Sequence, residues 1–509
     1  MRRGRKARLE KPPAQSAVGP GFTGGQYRPL SDTDMQNVHQ TILDVLENIG
    51  MADPIPIVQE HALQRGCMLD DDGRLLFPRA LVEDMIAEAP SDLMFHGQQE
   101  RYDLDLREER VHTYGGGEAV TMLDPGASSY RPSTLMDVYD AARLVDKLDN
   151  VHAFSRLVVA TDMKGRMACD INTAYASAAG TAKHTALTFG DYRNVEPTLE
   201  MLYMIAGSKE KFLERPFAHG GGCPVISPLR YGEDNCEVCV ESVKFGAPVW
   251  IVVAPQAGAT APAALAGALV QVMAEAIASM LMINVVHPKH PVIVGPWPFV
   301  SDLRTGSFTG GSGEEALVSA AAAQMTNFYG LVSSVGAGMT DAKSPDNQAG
   351  YEKAIATTLA ALTGCNNVSE SAGMMGSLMG LSFESLVIDN DMLGAVMRTV
   401  RGIEVNDDTL SYAEIENAVY GEGHFLRQDQ TLDLMRSEYE YPVLADRLSP
   451  NVWEEAGSLD IREQAAIRVK EVLSTHYPDY IKPDVDAKIR DKFKIEIPRE
   501  YMQAGNGRW

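Results

Sequence analysis

The sequence predicts an α/β fold: a (β/α)8 TIM barrel with an N-terminal helical segment and a C-terminal helical extension. Two observations predict it. Eight short β-prone segments alternate with eight helical ones between His112 and Val400, the repeat of that architecture. The strand segments are also mostly apolar runs, as in PVWIVVA and PVIVGP, which suits strands buried on both faces. A doubly wound open sheet is the alternative with the same element count.

The elements follow in order. Residues 1–27 are rich in Gly, Pro, Arg and Lys and read as a disordered basic tail. Within that tail GPGFTG matches GxGxxG by chance, because neither a strand nor a helix flanks it. Residues 28–110 form an N-terminal helical subdomain. Its first helix, 31–50, has apolar residues at helical spacing and ends on Gly50, and further helical pieces lie at 55–65 and 78–88.

The barrel spans 111–400. Its strands are expected at 112–118, 153–160, 184–190, 217–222, 248–254, 291–296, 331–336 and 366–370. Its helices are expected at 133–148, 168–182, 194–207, 232–245, 260–286, 313–329, 349–363 and 381–400. In the first of these Ser133 can cap, with Leu135, Val138, Ala142 and Val145 on one face. Ser312 and Glu315 form a capping box for the 313–329 helix. Residues 401–509 turn polar and helical and make the C-terminal extension.

Composition narrows the function. Lys and Arg number 45 against 69 Asp and Glu, a net charge of −24 that repels phosphate backbones and argues against nucleic acid. No run of 18 apolar residues is evident, so no membrane span is expected. The paired arginines at the start lack the apolar stretch of a signal peptide, so a cytoplasmic protein is expected. Cys236 and Cys239 form a lone CxxC without a second ligand pair, and no metal site or GxxxxGK[ST] loop emerges.

A barrel of this kind carries its site at the C-terminal strand ends. Those ends supply Tyr114 and Glu118, then Phe189 and Tyr192, then His219, and finally Glu370. The segment GPWPFVSDLRTGSFTGG adds Trp297, Phe299, Asp302, Arg304 and Phe308. Each has a plainer reading: His219 as a core histidine, Trp297 and Phe299 as a plug, Asp302 and Arg304 as partners of each other. Aromatic faces beside carboxylates in an acidic protein suit an organic cation, which cannot donate hydrogen bonds if it is quaternary.

The segments GPWPFVSDLRTGSFTGGSGEEAL, GAGMTDAKSPDNQAGYEKA and CNNVSESAGMMGSLMGLSFESLVIDNDML resemble the trimethylamine methyltransferase family. The likeness runs from QNVHQTILDVLENIGM through IRDKF, most of the chain. The resemblance implies a (β/α)8 barrel passing a methyl group from a methylated amine to the cobalt of a separate corrinoid protein. The family's founding branch uses pyrrolysine, and this sequence has none around GAGMTDAK, which is similar to the glycine betaine methyltransferase branch. That branch implies a quaternary amine substrate and a corrinoid carried by a partner rather than held tightly by this chain. On this reading Glu118 and Asp302 stabilise the cation, while His219 orients substrate or meets the leaving amine. Tyr114, Phe189, Tyr192, Trp297, Phe299, Arg304, Phe308 and Glu370 contact substrate. A folate acceptor, a non-catalytic methylamine-binding barrel and self-association are the other expectations left open.

Overall fold

The computed structural model describes residues 16–509. The greater part of the expected N-terminal tail, residues 1–15, lies outside the described residues. The remainder is partly ordered, contrary to expectation: Phe22 and Thr23 pair antiparallel with Val111 and Arg110.

Three helices open the fold, α1 (Asp32–Asn48), α2 (Pro56–Gln64) and α3 (Arg79–Glu88). Ser31 starts α1 with a full capping box to Asp34, and Met35, Val38, Ile42 and Leu46 bury one face. The alternating portion then runs β1 (Arg110–Thr113), α4 (Leu135–Val145), β2 (Phe154–Ser155), α5 (Arg166–Gly180), β3 (Thr185–Thr188) and α6 (Val195–Ala206). It continues with β4 (Ala218–Gly222), α7 (Glu233–Glu241), β5 (Val249–Val253), α8 (Leu265–Val286), β6 (Val292–Pro296) and α9 (Gly313–Phe328). It closes with β7 (Ser334–Gly336), α10 (Asn347–Thr363), β8 (Asn367–Ser369) and α11 (Phe383–Arg401). Every expected strand and helix is present, most of the strands shortened at their ends.

All the neighbour pairings among these eight strands are parallel. Strands β2 to β6 form one sheet in chain order, and β7, β8 and β1 form another. Single parallel bridges, Tyr114 to Ala153 and Val294 to Ser333, connect the edges of the two sheets. Chain-order pairing without a reversal departs from the doubly wound alternative, whose sheet reverses at a switch point.

Two local expectations need correction. Thr134, not Ser133, caps α4, in a capping box with Asp137; Ser133 Oγ instead donates to Val159 O at 2.6 Å. Ser312 does accept from Glu315 N, but the Glu315 carboxylate is buried and accepts from Ser319 Oγ at 2.9 Å rather than returning to the cap. A third concerns membranes. The 22-residue α8 is long and apolar enough to cross one by length and composition, yet 83% of its most apolar stretch is buried inside the protein. It packs against α1, α2, α9 and β6, which makes it a core helix.

The N-terminal ends of the strands are plugged by Phe95, from a short hairpin pairing Met94–Phe95 with Leu104–Asp105. Its ring stacks on His184 at 4.0 Å and on His219 at 4.7 Å. The C-terminal extension adds α12 (Tyr412–Val419), α13 (Asp429–Leu434), α14 (Pro450–Glu455), α15 (Ile461–Thr475) and α16 (Pro483–Lys492). Helix α15 packs on α11 and α4, and Arg143 beneath it donates to the carbonyls of Leu473 and His476.

Gly221 of β4 shows how tightly the strands approach each other. A Cβ there would lie 1.9 Å from the carbonyl oxygen of Trp250, a backbone atom that cannot step aside. Gly221→Ala is expected to cost about 1–3 kcal/mol through forced strand displacement. A lower urea midpoint at unchanged m-value checks it; an unchanged midpoint contradicts the packing described.

Candidate functional site

A cavity of about 550 Å³ lies at the C-terminal ends of β1 to β6 and β8, a volume in the usual range for small-molecule sites. Strand periodicity builds its floor. Successive side chains alternate faces, so Trp250, Val252 and Ala254 all point into the cavity from β5 and the turn after it. Trp297 and Phe299 enter from the turn after β6, and Phe189 from the end of β3.

The rings are mutually tilted rather than parallel. Trp250 and Trp297 have centroids 5.7 Å apart at 58°, and Trp297 and Phe299 6.4 Å apart at 51°. Trp297 Nε1 reaches Ser334 Oγ at 3.4 Å, whereas Trp250 Nε1 is buried with no protein acceptor. The segment GPWPFVSDLRTGSFTGG folds into a hairpin, Phe299–Asp302 against Ser307–Thr309, and Phe308 lies against Phe299 at 4.6 Å.

The polar wall comes from the β8–β1 seam and from β2. Glu370, 3% exposed, follows β8, and its Oε2 accepts from Gly117 N at 2.8 Å. Burial pushes its carboxyl up to about 8, and the neighbouring Glu118 pushes in the same direction. Glu118 takes Nη2 of Arg156 at 2.7 Å on one oxygen and the Thr188 hydroxyl on the other. Both glutamates adopt the left-handed region, at φ 62° and 59°. Side chains other than glycine seldom sit there, and such strain gathers at functional sites. Deeper in the wall, Asp170 accepts from Gly190 N at 3.0 Å and Asn194 Nδ2 at 2.7 Å, and burial raises its carboxyl.

Of the residues singled out from sequence, the structure brings together Glu118, Phe189, Trp297, Phe299 and Glu370 on the cavity wall, with Phe308 behind Phe299. The others stand elsewhere. His219 is fully buried beneath the cavity, its Nδ1 2.8 Å from His184 Nε2, and burial holds its ring well below the usual histidine range. It is a neutral interior histidine, because β4 turns it toward the Phe95 plug. Tyr114 is buried in the same interior layer, 6.2 Å from Phe95. Asp302 and Arg304 occupy the hairpin end, where the Arg304 guanidinium donates twice to Asp302, at 3.0 and 2.8 Å; the Arg304 side chain is 89% exposed. Tyr192 sits in a short exposed 3-10 turn under Arg193.

Among the wall residues that escaped the sequence reading are Trp250, Arg156, Asp170 and Asn235. Two of them had a signal. Trp250 shares the period-two face of PVWIVVA with Val252 and Ala254, and Arg156 is the lone charge in the mostly apolar AFSRLVVA. Asp170 and Asn235 come from helices α5 and α7, where nothing local marks them.

The sequence profile of the trimethylamine methyltransferase family matches residues 1–499. The trimethylamine methyltransferase of Methanosarcina thermophila is 31% identical over 482 residues, covering 92% of this chain and 96% of that one. The glycine betaine methyltransferase of Desulfitobacterium hafniense is 28% identical over 472 residues, covering 91% and 96%. The crystal structure of the Methanosarcina barkeri monomethylamine methyltransferase gives a TM-score of 0.47 at 12% identity, covering 89% and 95%. With its profile match running nearly end to end, this chain belongs to the trimethylamine methyltransferase family.

Proposed function

We propose that this enzyme, of the methyltransferase type, moves a methyl group from a quaternary amine resembling glycine betaine to the cobalt(I) of a corrinoid carried by a separate protein. The observation that carries the reading is the convergence of Trp250, Trp297 and Phe299 with Glu118 and Glu370 around one cavity. Similarity to a glycine betaine methyltransferase supports the substrate class. The architecture on this reading is a (β/α)8 barrel; the bridges Tyr114–Ala153 and Val294–Ser333, which join the two sheets at both edges, support closure.

The chemistry asks little of side chains beyond placement. The nitrogen of a quaternary amine already carries full charge. As the new bond to the methyl carbon forms, the C–N bond breaks with its pair going to nitrogen, which leaves as a neutral tertiary amine. No proton is delivered, so no general acid is required. The corrinoid supplies the nucleophile when its carrier docks. What this chain provides is a ring-lined, water-poor position that holds one methyl toward the open strand ends.

The rings hold the trimethylammonium at about 0.5–2 kcal/mol each. Glu118 is tied to Arg156, so this pair presents both signs to the substrate. Arg156 Nε is buried with no protein acceptor and is the donor offered to a substrate carboxylate. This replaces Arg304 in that role, since Arg304 stands in solvent bound to Asp302.

Three tests address the reading. Among glycine betaine, proline betaine, carnitine, choline and trimethylamine, one carboxylated quaternary amine is expected to raise the melting temperature, while trimethylamine does not. That ligand is then expected to methylate a supplied cobalt(I) corrinoid protein. Stabilisation by trimethylamine alone contradicts the quaternary assignment.

Trp297→Leu keeps apolar volume but removes a ring. It is expected to weaken that ligand's binding about 2- to 30-fold, the cation–π share, with a neutral isostere affected less. Equal losses for both ligands show that the ring serves packing only.

Glu370, with its carboxyl at about 8, is largely protonated at pH 7. A bound cation favours its ionised form, so affinity should rise with pH toward and through 8. Calorimetry at pH 7 in buffers of different ionisation enthalpy should detect proton release that Glu370→Gln abolishes. The stability sign is opposite. Between about 4.5 and 8 the folded state holds a proton that the unfolded state has lost, so the Glu370 contribution falls as pH rises through that window.

A further inference from the structure

We infer that Asp341 is a positioning residue: its carboxylate latches together the two hairpins that close the cavity on its β7 side, and this latch sets the size of substrate the cavity accepts.

The wall has a gap at β7. Every other strand, or the turn after it, sends a lining residue to the cavity, and among the described residues none comes from the loop after β7. The neighbours close over that gap. From β6 comes the hairpin Phe299–Asp302 with Ser307–Thr309, which brings Phe299 to the wall. From β8 comes a second hairpin, Met374–Met375 against Gly380–Ser382, whose tip brings Leu378. The two touch: a Cβ on Gly310, just past the first hairpin, would lie 3.6 Å from the Ser377 Cα of the second.

Asp341, in the loop after β7, bonds both. Its Oδ1 accepts from the Gly310 amide at 2.8 Å and from the Ser377 hydroxyl. A carboxylate acceptor makes such bonds roughly twice as strong as neutral ones. The latch is itself held from behind. Glu352 of α10, 7% exposed, accepts from the Asp341 amide at 2.8 Å and from the Thr340 hydroxyl.

Neither hairpin is held by packing alone. Behind the first lies a second cavity of about 590 Å³, lined by Val300, Leu303 and Thr309 of the hairpin and by Asp341, so no packed layer backs the wall. Its other tie is to the turn after β5, where Gln256 Nε2 donates to Ser301 Oγ at 2.8 Å. In the second hairpin Ser377 and Leu378 sit side by side in the left-handed region, at φ 56° and 68°. Residues other than glycine persist there only where surrounding contacts over-determine them. Those contacts come from the β7 loop: the amides of Gly376 and Ser377 donate to Ala342 O and Thr340 O, each at 2.8 Å, beside the Asp341 bond.

Asp341 does not line the substrate cavity; it acts through Phe299 and Leu378, whose separation the latch fixes. The consequence for substrate rests on the quaternary-amine reading above, whereas the latch itself does not.

The test is hydrogen exchange of the full-length chain read by mass spectrometry, with calorimetric titration of glycine betaine and the bulkier carnitine. The variants are Asp341→Ala, Ser377→Ala and Asp341→Asn, which keeps an acceptor oxygen. In Asp341→Ala, exchange should rise about 10-fold or more in 299–311 and 374–380, the weight of a hydrogen bond to a charged group, with α8 as slow as in the wild type. Ser377→Ala should loosen 374–380 only, and Asp341→Asn should restore the wild-type pattern. Should Asp341→Ala unfold, Ser377→Ala carries the same comparison with Asp341 in place. Asp341→Ala should also bind glycine betaine about 10-fold more weakly, with carnitine losing less. Unchanged local exchange in the alanine variants overturns the latch, as does an asparagine variant as loose as the alanine one. Equal losses for the two amines overturn the size-setting role. A wild-type chain that binds neither amine overturns the substrate reading and that role with it, while the exchange pattern still decides the latch.

Discussion

The hydrogen bond from Gly117 N to Glu370 Oε2, 2.8 Å long and part-buried on the cavity wall, is the contact on which the site depends. It crosses the seam between β8 and β1, where chain positions 253 residues apart meet. Gly116 N to Ala372 O at 3.2 Å and the Ser371 hydroxyl to Tyr114 O continue the same seam. A buried amide left unpaired costs about 1–3 kcal/mol, so this carboxylate is structural as well as chemical. Its position fixes the left-handed turn at Glu370 and, through Gly117, the one at Glu118.

That constraint sets the charge of the cavity. Burial and Glu118 push the Glu370 carboxyl up to about 8, while Glu118 is occupied by Arg156 and Thr188. The seam therefore presents the Glu118–Arg156 ion pair beside a carboxyl whose ionisation burial disfavours. Opposite it, three tilted rings offer faces and edges to a charge that cannot hydrogen bond. The strands beneath are packed too closely for this arrangement to drift, as Gly221 against Trp250 O shows. Below them, the stacked Phe95, His184 and His219 fill the interior with neutral rings.

The sequence by itself determined the order and type of the elements. Short apolar runs such as Val249–Val253 and Val292–Pro296 are strands, and residues such as Ser31 and Ser312 start helices by local hydrogen bonding. It also marked the wall residues carried on strand ends, such as Trp297, Phe299, Glu118 and Glu370, because alternation and the strand terminus are local properties. Only the tertiary structure decided depth and partnership. His219 and Tyr114 lie in strand segments like the others, yet both are buried against Phe95 below the cavity, because the interior layer a strand residue occupies is set by the stagger of strands paired over long range. Asp302 and Arg304 close on each other because a hairpin brings them together first. Arg156, Asp170 and Asn235 reach the cavity from elements whose orientation is set by packing against distant neighbours. Long-range geometry is a sum over such contacts, and no window of local sequence contains it.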